Sequence, residues 1–165
     1  GPMQERYPMT PAGHQRLKKE LKQILEVERP KNVADIEEAR SHGDLSENAE
    51  YDAAKDRQAY LDARMKELKT KIALAEVIDP STLKGEKVVF GATVTLFDIE
   101  QDEEITYTIV GEDESDVKKG RISLRSPLAR AAIGRHVDDP VKVKTPKGIR
   151  EYEIMEVEFK PVKID

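Results

Sequence analysis

The chain has 165 residues, of which 37% are charged and none is cysteine, and its net charge is −5. That length admits one or two small domains, and so high a charged fraction excludes a single compact core in favour of a solvated elongated element beside a small domain. Disulfides and thiolate zinc sites are excluded, and the acidic balance argues against gripping bare duplex nucleic acid through overall charge.

No apolar run is long enough to span a membrane and no signal-peptide pattern is present. A soluble cytoplasmic monomer with no membrane partner is therefore expected. Gly1-Pro2 ahead of Met3 reads as the scar of a cleaved tag. Thr10 is a good helix N-cap and Pro11 a good first helical residue. Leu17, Leu21 and Ile24 start an apolar seam, which Leu25, Val33, Ile36 and Ala39 continue in a shifted phase. Pro30 lies at the slip and predicts a kink or stutter there. Gly43 is the stop signal. A helix over about 11–41 rises roughly 45 Å at ~1.5 Å per residue. On the return side, Tyr51, Ala54, Gln58, Leu61, Met65, Leu68, Ile72 and Ala75 are spaced alternately by three and four. This is a coiled-coil seam broken only by Gln58, predicting a second helix over about 47–76. Two such helices with one turn between them form an antiparallel finger over 3–79.

The bend reads Gly43-Asp44-Leu45-Ser46-Glu47-Asn48-Ala49-Glu50-Tyr51 and offers two carboxylates, Asp44 and Glu47, far from any core. From Asp35 to Asp56 there are eight acidic residues against Arg40 and Lys55. At the other end, Arg16, Lys18, Lys19 and Lys22 face Arg64, Lys66, Lys69 and Lys71, opposed by Glu20 and Glu67. The finger thus has an acidic tip and a basic stem. Two readings stand side by side: a solvated, ion-paired coiled coil, or a probe that guides a polyanion along its stem. Asp44-x-x-Glu47 likewise has capping-box spacing for the return helix, and Ser46 or Asn48 can cap the turn. His14, His42 and His136 are too dispersed for a metal cluster, and a solvated His42 is expected.

Near Asp79-Pro80 the helical periodicity ends and β-branched residues with turn signals take over. Strands are predicted over Lys87–Phe90, Ala92–Phe97, Ile105–Val110, Arg121–Leu124, Val141–Lys144 and Glu151–Phe159. Thr145-Pro146-Lys147-Gly148 forms a turn between the last two. Asp98–Glu104 reads as a solvated hairpin loop. Ser126 caps, Pro127 opens and Gly134 closes a short helix. The second domain, 80–165, is then an antiparallel sheet with one helix, giving the chain an α + (α+β) architecture.

Four features together resemble the bacterial Gre transcript-cleavage factors, GreA type. They are the long finger, the tip Gly43–Tyr51, the run Val89-Phe90-Gly91-Ala92-Thr93-Val94, and Ser126-Pro127-Leu128-Ala129-Arg130-Ala131-Ala132-Ile133-Gly134. The resemblance covers essentially the whole chain. It implies a coiled coil that enters the secondary channel of bacterial RNA polymerase. It implies an FKBP-like second domain that docks on the channel rim. It further implies that the factor is no enzyme itself, but stimulates the polymerase to cleave the 3′ end of backtracked RNA.

Phosphodiester hydrolysis needs a metal-activated water and neutralisation of phosphate charge. Magnesium prefers oxygen ligands and keeps several waters. Carried over position by position, the resemblance gives Asp44 the metal role and Glu47 the water role, with Mg2+ shared with the polymerase and the division between them open. Within the docking domain, Ser126, Pro127, Leu128, Ala129, Arg130, Ile133 and Gly134 are the candidate polymerase contacts. Lys18, Lys19, Lys66 and Lys69 are the candidate phosphate contacts to the RNA. Two other readings remain. An inhibitory relative would plug the channel without promoting cleavage; the retained Asp44/Glu47 pair and the lack of extra aspartates in the turn favour the cleavage factor. A prolyl isomerase would need an aromatic-lined apolar pocket, which Phe90, Phe97, Tyr107, Tyr152 and Phe159 do not supply at strand positions.

Overall fold

The computed structural model describes residues 5–44 and 48–164. The chain divides into two units: Gln15–Leu74, and Gly1–His14 together with Ala75–Asp165. Each folds around its own apolar seam or core.

The first unit is the helical hairpin. Helix α1 (Pro11–Gln23) starts on Thr10, whose hydroxyl accepts from Gly13 N at 3.2 Å. It passes through a π-helical turn, Ile24–Glu28, into α2 (Arg29–Ser41), and α3 (Ala49–Ala73) returns. Cross-links between the strands of the hairpin join Glu20 to Arg64, Glu28 to Arg57, Asn32 to Ala54 and Ala39 to Asn48. As one number rises the other falls, which is antiparallel pairing.

The seam departs from the sequence expectation at one place. Ile24, Glu28, Asn32 and Ile36 occupy it at a repeated spacing of four, while Leu25 and Val33 are 40% and 51% exposed. Pro30 has no N–H to give Glu26, and the turn just before it widens: Arg29 N donates to Ile24 O, five residues back. The extra residue taken into that turn rotates Leu25 and Val33 outward and brings Asn32 in. Asn32 is 5% exposed, and its Nδ2 donates to Ala54 O at 2.9 Å. The expected seam through Leu25 and Val33 is therefore corrected to one through Glu28 and Asn32.

The second unit holds a five-stranded sheet in the order β5-β4-β3-β7-β6. Its strands are β3 (Thr93–Asp98), β4 (Glu103–Val110), β5 (Arg121–Ser123), β6 (Pro140–Thr145) and β7 (Gly148–Glu158). All pairs are antiparallel except β4 with β5, so the sheet is mixed rather than purely antiparallel. A bulge at Thr95/Leu96 shifts the β3–β7 register and helps the sheet curl. Val88, Val94, Leu96, Ile109, Val141 and Ile154 fill the core, and α4 (Pro127–Ala132) closes it with Ala129 and Ala132.

Three further expectations are corrected. Lys87–Phe90 is not a strand: Val88 instead exchanges backbone bonds with Gly134 and Arg135, in the bend after α4. The return helix stops at Ala73, and Ala75–Val77 forms strand β2, parallel to β1 (Tyr7–Met9). Asp98 is buried, not solvated; it accepts from Glu100 N and Gln101 N and pairs with Arg150. The rest of that acidic run makes the β3–β4 hairpin.

Candidate functional site

The tip is shaped by three local devices. His42 ends α2, and Gly43 follows at φ +98°, a conformation that costs glycine little. Asn48 starts α3 in extended geometry, its Oδ1 accepting from Tyr51 N at 3.0 Å. Its Nδ2 reaches back to Ala39 O at 2.7 Å, so one side chain caps one helix and ties down the other. Asn48, and not Asp44, is thus the N-cap of α3. Ser46 and Glu47 lie outside the described residues.

Around this cap the side chains are polar. His42 Nδ1 lies 3.2 Å from a Glu50 carboxylate oxygen, and the side chain is exposed to solvent, as expected. The Arg40 guanidinium sits 6.0 Å from the centroid of the Tyr51 ring, which is half-buried at the head of the seam. Asp44 is exposed, and with His42, Asn48, Ala49 and Glu50 it lines a shallow concavity. Among the described residues no group of three histidine or acidic side chains could hold a metal ion. Asp44 is a hard oxygen donor suited to magnesium, but further ligands would have to come from outside the described residues.

Lower on the hairpin, Arg64 pairs with Glu20 and Glu67, and Lys71 pairs with Glu67. The hydrogen bond from Lys71, with its charge and that of Arg64, holds the Glu67 carboxyl below its ordinary range. Lys18, Lys19, Lys66 and Lys69 are exposed and form no ion pair among the described residues. The register of the Glu20–Arg64 pair sets Lys18 level with Lys66. The stem therefore keeps free positive charge beside a neutralised network.

In the second unit, Ser126 caps α4, accepting from Ala129 N at 3.3 Å. Pro127, Arg130, Ile133 and Gly134 are exposed, and Leu128 is half-buried against the core. Ala129 is wholly buried, so it supports the helix rather than offering a contact surface. Ile133 is an apolar side chain that is 39% exposed.

The transcription elongation factor N-terminal family model matches residues 7–77, the finger with its tip. The GreA/GreB C-terminal model matches residues 83–159, the sheet with α4. The chain belongs to the GreA/GreB family of transcription elongation factors. Its similarity to individual members of that family runs nearly end to end. It is 56% identical over 157 residues to transcription elongation factor GreA of Syntrophotalea carbinolica, covering 95% of this chain and 99% of that protein. GreA of Rickettsia conorii is 51% identical over 162 residues, covering 98% and 100%. Among solved structures, the GreA factor homolog 1 of Thermus thermophilus matches at 26% identity over 93% of this chain and 99% of its own, with a TM-score of 0.43.

Proposed function

We infer that this transcription elongation factor stimulates bacterial RNA polymerase to cleave the 3′ end of backtracked RNA. The finger enters the secondary channel and the second unit docks on its rim, in the cytoplasm. The observation that carries this reading is the tip: an exposed carboxylate, Asp44, beside a turn braced by Asn48 between two helices. The concavity that this carboxylate lines is shallow and open to solvent. The carboxylate acts only where the finger is inserted.

Asp44 would supply an oxygen ligand to a magnesium ion held mainly by the polymerase, and Glu47 would orient the attacking water. Magnesium in such a site supplies an activated water and neutralises charge on the phosphate. The factor's own contribution is placement, because a preorganised carboxylate acts mostly in the transition state. The free lysines of the stem would meet phosphates of the extruded RNA.

The test is direct. A stalled, backtracked bacterial elongation complex is incubated with the protein and magnesium, and the RNA is sized. Shortened RNA that resumes elongation is the expected result. Slowed elongation with RNA of unchanged length would replace this reading with that of a channel plug.

A further inference from the structure

Two residues that local preferences disfavour meet at the root of α1. Glu114, at the end of the 3-10 turn Glu112–Glu114, is only 2% exposed. Burying a carboxylate is costly unless hydrogen bonds replace its water. Here they do: Thr10 N donates to both oxygens at 3.1 and 3.2 Å, the Thr10 hydroxyl donates as well, and Gly111 N donates at 2.9 Å. Arg121 Nε holds the backbone carbonyl of the same residue at 2.8 Å. Gly13 sits in the first turn of α1, where alanine would ordinarily be preferred. A Cβ on Gly13 would fall 2.2 Å from Glu114 Oε1, so the glycine makes room for the carboxylate. All these residues belong to one unit, and α1 begins among them.

We propose that Glu114 and Gly13 form a joint that seats the root of α1 on the Glu112–Glu114 turn, and that cleavage depends on this seat. The proposal rests on the transcript-cleavage reading above. A buried carboxylate contributes little net stability compared with apolar packing, and its use here is geometric. It fixes the start of α1 through donors on two segments, Thr10 and Gly111. Glu114 touches no substrate and is a positioning residue. It acts through the helix that begins on Thr10.

Two variants of the full chain test this. Glu114→Gln keeps the size but turns an N–H toward the donors of Thr10 or Gly111. Gly13→Ala pushes a methyl group into the same seat. Amide hydrogen exchange should quicken at Thr10 and Gly111 in the first variant while Ala129, capped by Ser126, stays protected. Both variants should bind the elongation complex at the parent's half-saturating concentration. At saturation they should cleave about tenfold or more slowly, as expected when a reacting group is misplaced by about 1 Å. Unchanged exchange at Thr10 and Gly111 would refute the joint. Opened exchange with parental cleavage would refute its positioning role. A parallel loss of binding and of protection at Ala129 would show that Glu114 only holds the fold together. A parent that does not stimulate cleavage would refute the elongation reading instead, and the exchange result would still decide whether the joint exists.

Discussion

The side-chain amide of Asn48 donates to the carbonyl of Ala39 at 2.7 Å, joining the start of the return helix to the last turn of the outgoing one. The same residue caps α3 through Tyr51 N. Asn48→Ala removes both bonds, and loss of a cap alone costs roughly 1 kcal/mol. The variant should melt a few degrees lower and lose part of its cleavage stimulation, with polymerase affinity kept. Asn48→Asp separates the two roles. It retains an acceptor for Tyr51 N but loses the donor to Ala39, so its cleavage should fall between alanine and the parent. Equal cleavage by all three would show that the brace does not matter at the tip.

Asp44→Ala and Glu47→Ala should each abolish most of the stimulated cleavage while leaving polymerase binding nearly intact. Interactions made mainly in the transition state lower the rate without weakening the ground-state complex. Because Asn48 is the N-cap of α3, Asp44→Ala should leave helical circular dichroism unchanged. A large loss of helix in that variant would return Asp44 to a structural role. Normal cleavage by the double variant would remove the tip from the chemistry.

The hairpin was legible because its return seam, from Tyr51 to Ile72, keeps a strict three-four spacing over a long run. Pro30 marked the fault in the outgoing helix, but not its resolution. A π turn is set by which residues the partner helix can accommodate, and no single-helix pattern says that Asn32 will displace Val33. Likewise β1 and β2 are three residues each, too short for a period to show. The short helix after Ser126 was readable from its cap, proline and glycine. The seat of Glu114 was not, since it joins residues 104 positions apart and uses a glycine that looks like an ordinary weak spot in a helix.

Docking should depend on the exposed face of α4 and the bend after it. Pro127→Ala with Arg130→Ala alters two exposed side chains and spares the buried Ala129 and Ala132. Affinity for polymerase should fall severalfold, and cleavage at saturating factor should recover. By contrast, Ala129→Leu should destabilise the second unit by about 1–3 kcal/mol, because that site is fully buried. Unchanged affinity in the double variant would move the docking surface elsewhere.

The stem pairs give a pH signature. Lys71 above all, then Arg64, lowers the folded pKa of Glu67. A depressed carboxyl stabilises the fold above its unfolded pKa, and that contribution is lost as pH falls through the folded value. Below roughly pH 4, the ordinary carboxylate range, the hairpin should therefore melt earlier. Glu67 is half-exposed, so the effect is small. In Glu67→Gln this part of the acid dependence should vanish. An identical melting profile from pH 3 to 7 in both chains would show that the pairs contribute nothing measurable.

The four stem lysines that form no ion pair among the described residues offer the last test. Reversing Lys18, Lys19, Lys66 and Lys69 to glutamate leaves the tip untouched and breaks no ion pair among the described residues. A phosphate contact turns repulsive when its charge is reversed, and both the contact and its loss should fade with added salt. Cleavage should therefore drop most for deeply backtracked complexes, whose extruded RNA reaches the stem. It should drop least for complexes backtracked by two or three nucleotides. The reversed charge at position 66 will also repel Asp62, four residues back, and the one at position 69, three residues on, at a few tenths of a kcal/mol for each pair. Melting must be followed in parallel. A stably folded variant that cleaves deep and shallow complexes as well as the parent would reduce the basic stem to a solvated face.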